Sequence, residues 1–149
     1  MGAARAPLLL VVDDDAGDRE LTREALAEIS YPGRIEFVND GLALLEYLDH
    51  AVTTGRDGLP DLIMLDLNMP RMDGFSVLVR LKADDRFSAI PVLILSTSRA
   101  PGDVAQAYRV GAQSYLAKPS RFSDLVAAMR TAYQYWFATV SLPDGGGAG

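Results

Sequence analysis

No cysteine occurs among the 149 residues, which excludes disulfides, thiolate metal sites and cysteine nucleophiles and fits a reducing compartment. The single histidine, His50, excludes a multi-histidine metal centre and speaks against a Ser-His-Asp triad. No apolar run approaches the roughly 20 residues a membrane span needs. The run near the N-terminus, Leu8–Val12, stops at Asp13-Asp14-Asp15, and the start of the chain lacks the pattern of a secretory leader. Basic residues are outnumbered: 14 Lys and Arg face 20 Asp and Glu, for a formal charge of -6. They are also scattered, whereas a nucleic-acid surface requires them clustered. The expectation is a soluble, cytoplasmic protein with no membrane and no nucleic-acid partner. Hydrophobic residues, 49% of the chain, are ample for a packed core.

What is present alternates. Short apolar runs of strand length are followed by segments with helical spacing. Leu8–Val12, Ile35–Val38, Asp61–Asp66, Ile90–Leu95 and Gln113–Ala117 read as strands. The intervening helices run from Asp18 to about Ser30, with Leu21, Ala25 and Ile29 on one face; from Asp40 to about Val52, burying Leu45, Leu48 and Val52; and from about Phe75 to Ala83. A short helix follows Pro101, and a long one runs from Arg121 to about Thr139. His50 falls near the surface end of the second helix. Five strands each followed by a helix imply an α/β fold, a doubly wound five-stranded parallel sheet covered on both faces. The expected organisation is one domain over residues 1–140, then a flexible tail over 141–149 that contains Pro143 and Gly145-Gly146-Gly147.

In such a sheet every strand-to-helix junction lies on the carboxyl edge, where ligands bind. Asp13, Asp14 and Asp15 end the first strand, Asp66 the third, Ser96-Thr97-Ser98 the fourth, and Lys118-Pro119 the fifth. Carboxylates gathered on one rim repel one another unless a cation sits among them. With oxygen ligands alone the expected cation is a hard one, Mg²⁺, Mn²⁺ or Ca²⁺, and Mg²⁺ suits best, since a few carboxylates plus waters and a substrate phosphate fill its octahedron. Asp66 can then attack phosphorus and form an aspartyl phosphate. The metal, the Lys118 ammonium and the Ser96 hydroxyl would spread over the phosphoryl oxygens.

Asp13-Asp14, Asp66-Leu67-Asn68-Met69-Pro70-Arg71-Met72-Asp73-Gly74, Ser96, and Tyr115 three residues before Lys118-Pro119 together resemble the receiver domain of response regulators. The likeness spans about residues 8 to 135. It implies a flavodoxin-like sheet of order 2-1-3-4-5 and a role in a two-component phosphorelay. Asp66 matches the phosphoacceptor, served by Ser96 and Lys118. Asp13 and Asp14 match the acidic pair that holds the metal, with Asp66 as third ligand and the Asn68 backbone carbonyl completing its shell. Ser96 and Tyr115 match the switch residues. The likeness also implies a cis bond between Lys118 and Pro119. The Thr53–Pro60 loop, the Ser96-Thr97-Ser98 run and the segment Tyr135–Pro143 narrow the resemblance to the single-domain regulators paired with phytochromes. A histidine kinase, here a bacterial phytochrome, is then the phosphodonor, and a phosphotransfer protein a downstream acceptor. Two departures stand out: Ser96 replaces the commoner Thr, and Asp15 the commoner Asn.

Plainer readings compete. Asp13 and Asp14 could merely cap the first helix, Ser96 could be a structural hydroxyl, and Tyr115 could simply pack. A helix from Arg121 to Thr139 would be about 28 Å long, against about 17–20 Å for a strand. Its last turns, with Tyr135, Trp136 and Phe137, should then overhang the sheet as an apolar patch and pair two copies into a homodimer. With no output domain expected after residue 140, the chain reads as a switch and not as an enzyme acting on an external substrate. The alternatives are a degenerate receiver that only dimerises, and an aspartyl-phosphate phosphatase. The phosphatase reading lacks an acid, because Asn68 stands two residues after Asp66, where such an enzyme carries Asp.

Overall fold

Three of the five helices begin at an aspartate whose carboxylate accepts a backbone N–H of the first turn. Asp15 caps α1 (Ala16–Glu28) through the Asp18 N–H at 2.9 Å. Asp40 caps α2 (Gly41–Thr53) through Ala43 at 2.8 Å, and Asp73 caps α3 (Gly74–Ala83) through Ser76 at 2.9 Å. α4 (Pro101–Val110) opens on proline instead, whose missing N–H costs nothing at that position, and closes at Gly111, where φ is 128°. α5 covers Phe122–Tyr133 and continues through π-helical turns at Gln134–Thr139. The computed structural model describes residues 7–55 and 58–139.

The strands β1 (Leu8–Val12), β2 (Arg34–Val38), β3 (Leu62–Leu65), β4 (Val92–Ser96) and β5 (Ser114–Ala117) form one parallel sheet in the order β2-β1-β3-β4-β5. Every residue of β1, β3 and β4 is buried, while the edge strands β2 and β5 are partly open. Alternation along the strands sorts side chains into two cores. Leu10, Val12, Ile63, Leu65, Val92 and Ile94 face Leu44, Leu48, Val77, Leu78 and Leu81 of α2 and α3. Leu9, Val11, Leu62, Met64, Leu93 and Leu95 face Ala25 and Leu26 of α1 and Leu125, Val126 and Met129 of α5. The sheet, its order and its two covered faces are those expected from the alternation and the resemblance.

Helix faces differ from the expectation by about one position. α1 buries Thr22, Ala25 and Leu26 and leaves Leu21 exposed; α2 buries Leu44, Leu48 and Ala51. An apolar residue beside the buried stripe satisfies the same spacing, so periodicity alone does not choose between neighbouring stripes. Gly74 is required by space. A Cβ there would lie 2.5 Å from the Asp66 carbonyl oxygen and 2.6 Å from Leu67 Cα, so α3 packs against the end of β3 through a bare backbone.

Two expectations fail. The Lys118–Pro119 bond is trans, since no cis peptide occurs among the described residues. The intrinsic preference of an X–Pro bond is trans, and Lys118 reaches its partners from that geometry. Trp136 is not part of an overhanging patch: it is 7% exposed and joins the core on the α1/α5 side. The strands are not the full height of that core. Ile29 and Tyr31, just after α1, extend it past the strand starts, and Tyr31 meets Tyr133 edge-on at 5.8 Å. Leu125, Met129, Ala132 and Trp136 therefore form one continuous buried face. Tyr135 remains 52% exposed, so the geometric argument for a homodimer keeps Tyr135 and loses Trp136. The Phe137 side chain and the expected tail 141–149 lie outside the described residues. Among the described residues, no helix is long and apolar enough to cross a membrane.

Truncation separates the two aromatic neighbours. Trp136→Ala should lower the unfolding free energy by about 3–5 kcal/mol, as expected for emptying a large buried site. Tyr135→Ala, which removes an exposed ring and its edge-on contact with Trp136, should change it by about 0.5–1.5 kcal/mol. Urea unfolding of both variants checks this; equal effects would contradict the burial described.

Candidate functional site

Ladder hydrogen bonds carry four chain segments to one place on the carboxyl edge. Asp13 N–H donates to Val38 O at 3.2 Å, Asp66 N–H to Val12 O at 3.1 Å, and Lys118 N–H to Ser96 O at 2.7 Å. These are the last rungs of the parallel sheet. The residues just beyond the buried strands therefore share a rim, and Asp13, Asp66 and Ser96 are themselves buried. Asp14, the next residue on, is exposed.

Oxygens of Asp13, Asp14 and Asp66 lie within 4.8 Å of one another. The Lys118 ammonium reaches into this group, donating to Asp13 Oδ2 at 2.6 Å, Asp18 Oδ2 at 2.9 Å and Asp66 Oδ2 at 3.4 Å. Burial works against the charge on Lys118, but the hydrogen bonds and negative charges of Asp13, Asp18 and Asp66 outweigh it and raise its pKa. Burial pushes the Asp66 carboxyl up; the Lys118 charge and the Asn68 N–H, which donates to Asp66 Oδ1 at 3.1 Å, pull the other way, and Asp13 adds to the rise.

One ammonium is too little charge for this rim. The attraction within a single pair near 3 Å is about 5 kcal/mol at an effective dielectric of about 20. Removing each ion from water costs several kcal/mol. Lys118 can offset one or two carboxylates, not all of them. The oxygen-only donor set, with Asp14 open to solvent as an entry side, fits a hard divalent cation held by Asp13, Asp14 and Asp66.

The remaining predicted residues form a second network beside the first. The Ser96 hydroxyl, fully buried, accepts from Asn68 Nδ2 at 3.4 Å and from the Ser98 N–H at 3.3 Å. Tyr115, half-buried, donates its hydroxyl to Ser98 O at 2.8 Å. The Ser98 hydroxyl donates to Asp103 Oδ2 in the first turn of α4 at 2.5 Å. Ser98 thus connects Ser96 to both Tyr115 and α4. Asp15, set apart in the sequence as an extra acid, is occupied in capping α1, and neither Asp13 nor Asp14 is the cap. His50 is exposed in the last turn of α2.

Sequence reasoning missed Asp18 as a site residue. The available signal was its place in the first turn of the helix after β1, because such turns start on the carboxyl edge. It also missed the tie between the loop after β3 and α2. Arg71, with a left-handed φ of 66°, forms an ion pair with the capping carboxylate of Asp40.

Comparison with known proteins agrees with this geometry. Residues 9–130 match the family model described as "Response regulator receiver domain". "Response regulator Rcp1" of Synechocystis sp. is 32% identical over 136 residues, covering 91% of this chain and 92% of Rcp1. "Probable methanogenesis regulatory protein FilR2" of Methanothrix harundinacea is 38% identical over 129 residues, covering 87% and 83%. The structure of the phosphorylated cyanobacterial phytochrome response regulator RcpA superposes with a TM-score of 0.84 at 34% identity, covering 94% of this chain and 99% of RcpA. The Mn²⁺-bound form of Rcp1 superposes with a TM-score of 0.81 at 32% identity, covering 92% and 99%.

Removing the ammonium should expose the charge imbalance. Lys118→Met should lower the stability of the metal-free protein by about 3 kcal/mol, the lower end of the range for breaking a buried pair, because Lys118 keeps 11% of its side chain in solvent. At one fixed Mn²⁺ concentration, the rise in melting temperature should be larger in the variant than in the parent, since the cation then meets uncompensated carboxylates. Thermal unfolding with and without Mn²⁺ checks both signs. A smaller metal-induced rise in the variant would contradict the charge account.

Proposed function

Because the chain belongs to the response regulator receiver domain family, we propose that it is a stand-alone phosphoacceptor switch in which Asp66 takes a phosphoryl group from a histidine kinase of the phytochrome type. The observation that carries the chemistry is the Lys118 ammonium set between Asp13 and Asp66 on the rim that Asp14 completes. The observation that favours the partner is the near-complete overlap with RcpA, a phytochrome response regulator, and with Rcp1.

Asp66 is the nucleophile: a carboxylate oxygen attacks phosphorus as the donor's P–N bond breaks, and the imidazole leaves. Asp13, Asp14 and Asp66, with the Asn68 backbone carbonyl, would hold Mg²⁺. When bound, that ion neutralises charge on the transferring phosphoryl group. Lys118, tethered at Asp13, stands within reach of a phosphoryl oxygen on Asp66. The Ser96 hydroxyl gives up its Asn68 and Ser98 partners to donate to another oxygen. That exchange releases the Ser98 N–H and shifts the loop that holds Tyr115 and the first turn of α4. Phosphorylation selects between two arrangements of this network through its different contacts with each. The output is then a change of protein contacts, such as pairing with a second copy or relay to a phosphotransfer protein.

The chain is proposed to act on no external substrate. Asn68, at the position where an aspartyl-phosphate phosphatase needs an acid, offers an amide engaged with Ser96.

Incubation with acetyl phosphate and Mg²⁺ should add one phosphoryl group by intact-protein mass. The adduct should disappear without Mg²⁺ and in Asp66→Asn. An adduct that persists in Asp66→Asn would sink the assignment. No adduct, together with no metal binding, would favour a degenerate receiver that only dimerises.

A further inference from the structure

The transfer assigned to Asp66 uses Lys118, yet Lys118 is held by a carboxylate that the transfer does not use. Its Nζ lies 2.9 Å from Asp18 Oδ2 and 3.4 Å from Asp66 Oδ2. Asp18 projects from the first turn of α1 and is not among the three carboxylates gathered to fit a metal. Its backbone N–H serves the Asp15 cap, so its side chain is free for another task. Beside it, Leu21, Thr22, Pro119 and Leu125 line a shallow groove that opens next to Lys118.

The three partners of the ammonium differ in what they lose if it moves. The side chains of Asp13 and Asp66 are 4% and 8% exposed, and water cannot replace the lysine there. That of Asp18 is 38% exposed, and water can. Asp18 is therefore the partner that gives the ammonium up at least cost. We infer that Asp18 is a positioning residue: it holds the Lys118 ammonium on the α1 side in the resting protein, and phosphoryl transfer to Asp66 draws the ammonium off it. This rests on Asp66 being the phosphoacceptor. The consequence is a resting site in which part of the favourable contact between Lys118 and the phosphoryl group is spent on leaving Asp18.

The test compares Asp18→Ala, Asp18→Asn and Asp15→Asn with the parent at saturating Mg²⁺. Asp15→Asn removes a charge from the same turn, and asparagine caps a helix as well as aspartate. Two quantities are read: the phosphorylation rate constant at saturating acetyl phosphate, and the proton exchange of the Lys118 ammonium in ¹H–¹⁵N spectra, assigned by its loss in Lys118→Met. Asp18→Ala should raise the rate constant three- to tenfold and speed ammonium exchange, with Asp18→Asn in between. Asp15→Asn should leave both unchanged, altering at most the half-saturating donor concentration. An unchanged or lowered rate constant in Asp18→Ala, in a parent that is phosphorylated, overturns the inference whatever the exchange shows. If the parent takes no phosphoryl group, the reading of Asp66 fails; ammonium exchange then decides alone whether Asp18 holds Lys118, faster exchange in Asp18→Ala supporting it and unchanged exchange overturning it.

Discussion

A single ammonium ion holds the carboxyl edge of this sheet together. Lys118 is delivered by β5, and its partners come from the end of β1, the first turn of α1 and the end of β3. Three chain segments that would otherwise bring only negative charge to one rim are joined through one cation delivered by a fourth. The arrangement is stable enough to fold and still short of positive charge, and the second property makes it a site. A rim fully neutralised by arginines would have no use for a divalent ion. A rim with no lysine would depend on that ion for its stability.

The same geometry accounts for how the chemistry proposed at Asp66 would be felt elsewhere. The central strands β1, β3 and β4 beneath the rim are completely buried and packed on both faces, so they do not deform. Movement is left to the loops above them. The loop after β4 is the one whose hydrogen bonds run outward, from Ser96 through Ser98 to Tyr115 and α4. The loop after β3 is fixed differently. Gly74 lets α3 press against the backbone of Asp66 and Leu67, and Arg71 ties it to the cap of α2. A rigid Asp66 beside a loop with exchangeable partners is the arrangement that the proposed switch requires.

Much of this was legible in the residues. Continuous apolar runs such as Val92-Leu93-Ile94-Leu95, alternating with helical segments, are what buried parallel strands predict, and strands so placed bring Asp13, Asp66, Ser96 and Lys118 to one edge. Three things were not legible. Asp18 reads as a helix-start residue: its first-turn place puts it on the carboxyl edge, but sequence spacing carries no sign of a partner 100 positions away. Strand length alone puts Trp136 on an overhang, but it is not the height of the core, which Ile29 and Tyr31 extend beyond the strands. The isomer of the Lys118–Pro119 bond came from resemblance alone, and no feature of the local residues had argued for cis.

The proposed cation site of Asp13, Asp14 and Asp66, its remaining charge balanced by Lys118 from the α1 side, can be seen in crystals soaked in Mn²⁺, with anomalous scattering used to locate the ion. One strong peak is expected, bound by oxygens of Asp13, Asp14 and Asp66, with the Lys118 ammonium still against Asp18 and away from the metal. A peak elsewhere on the surface, or no ion on the rim with the ammonium occupying the place between the three carboxylates, would rule the site out.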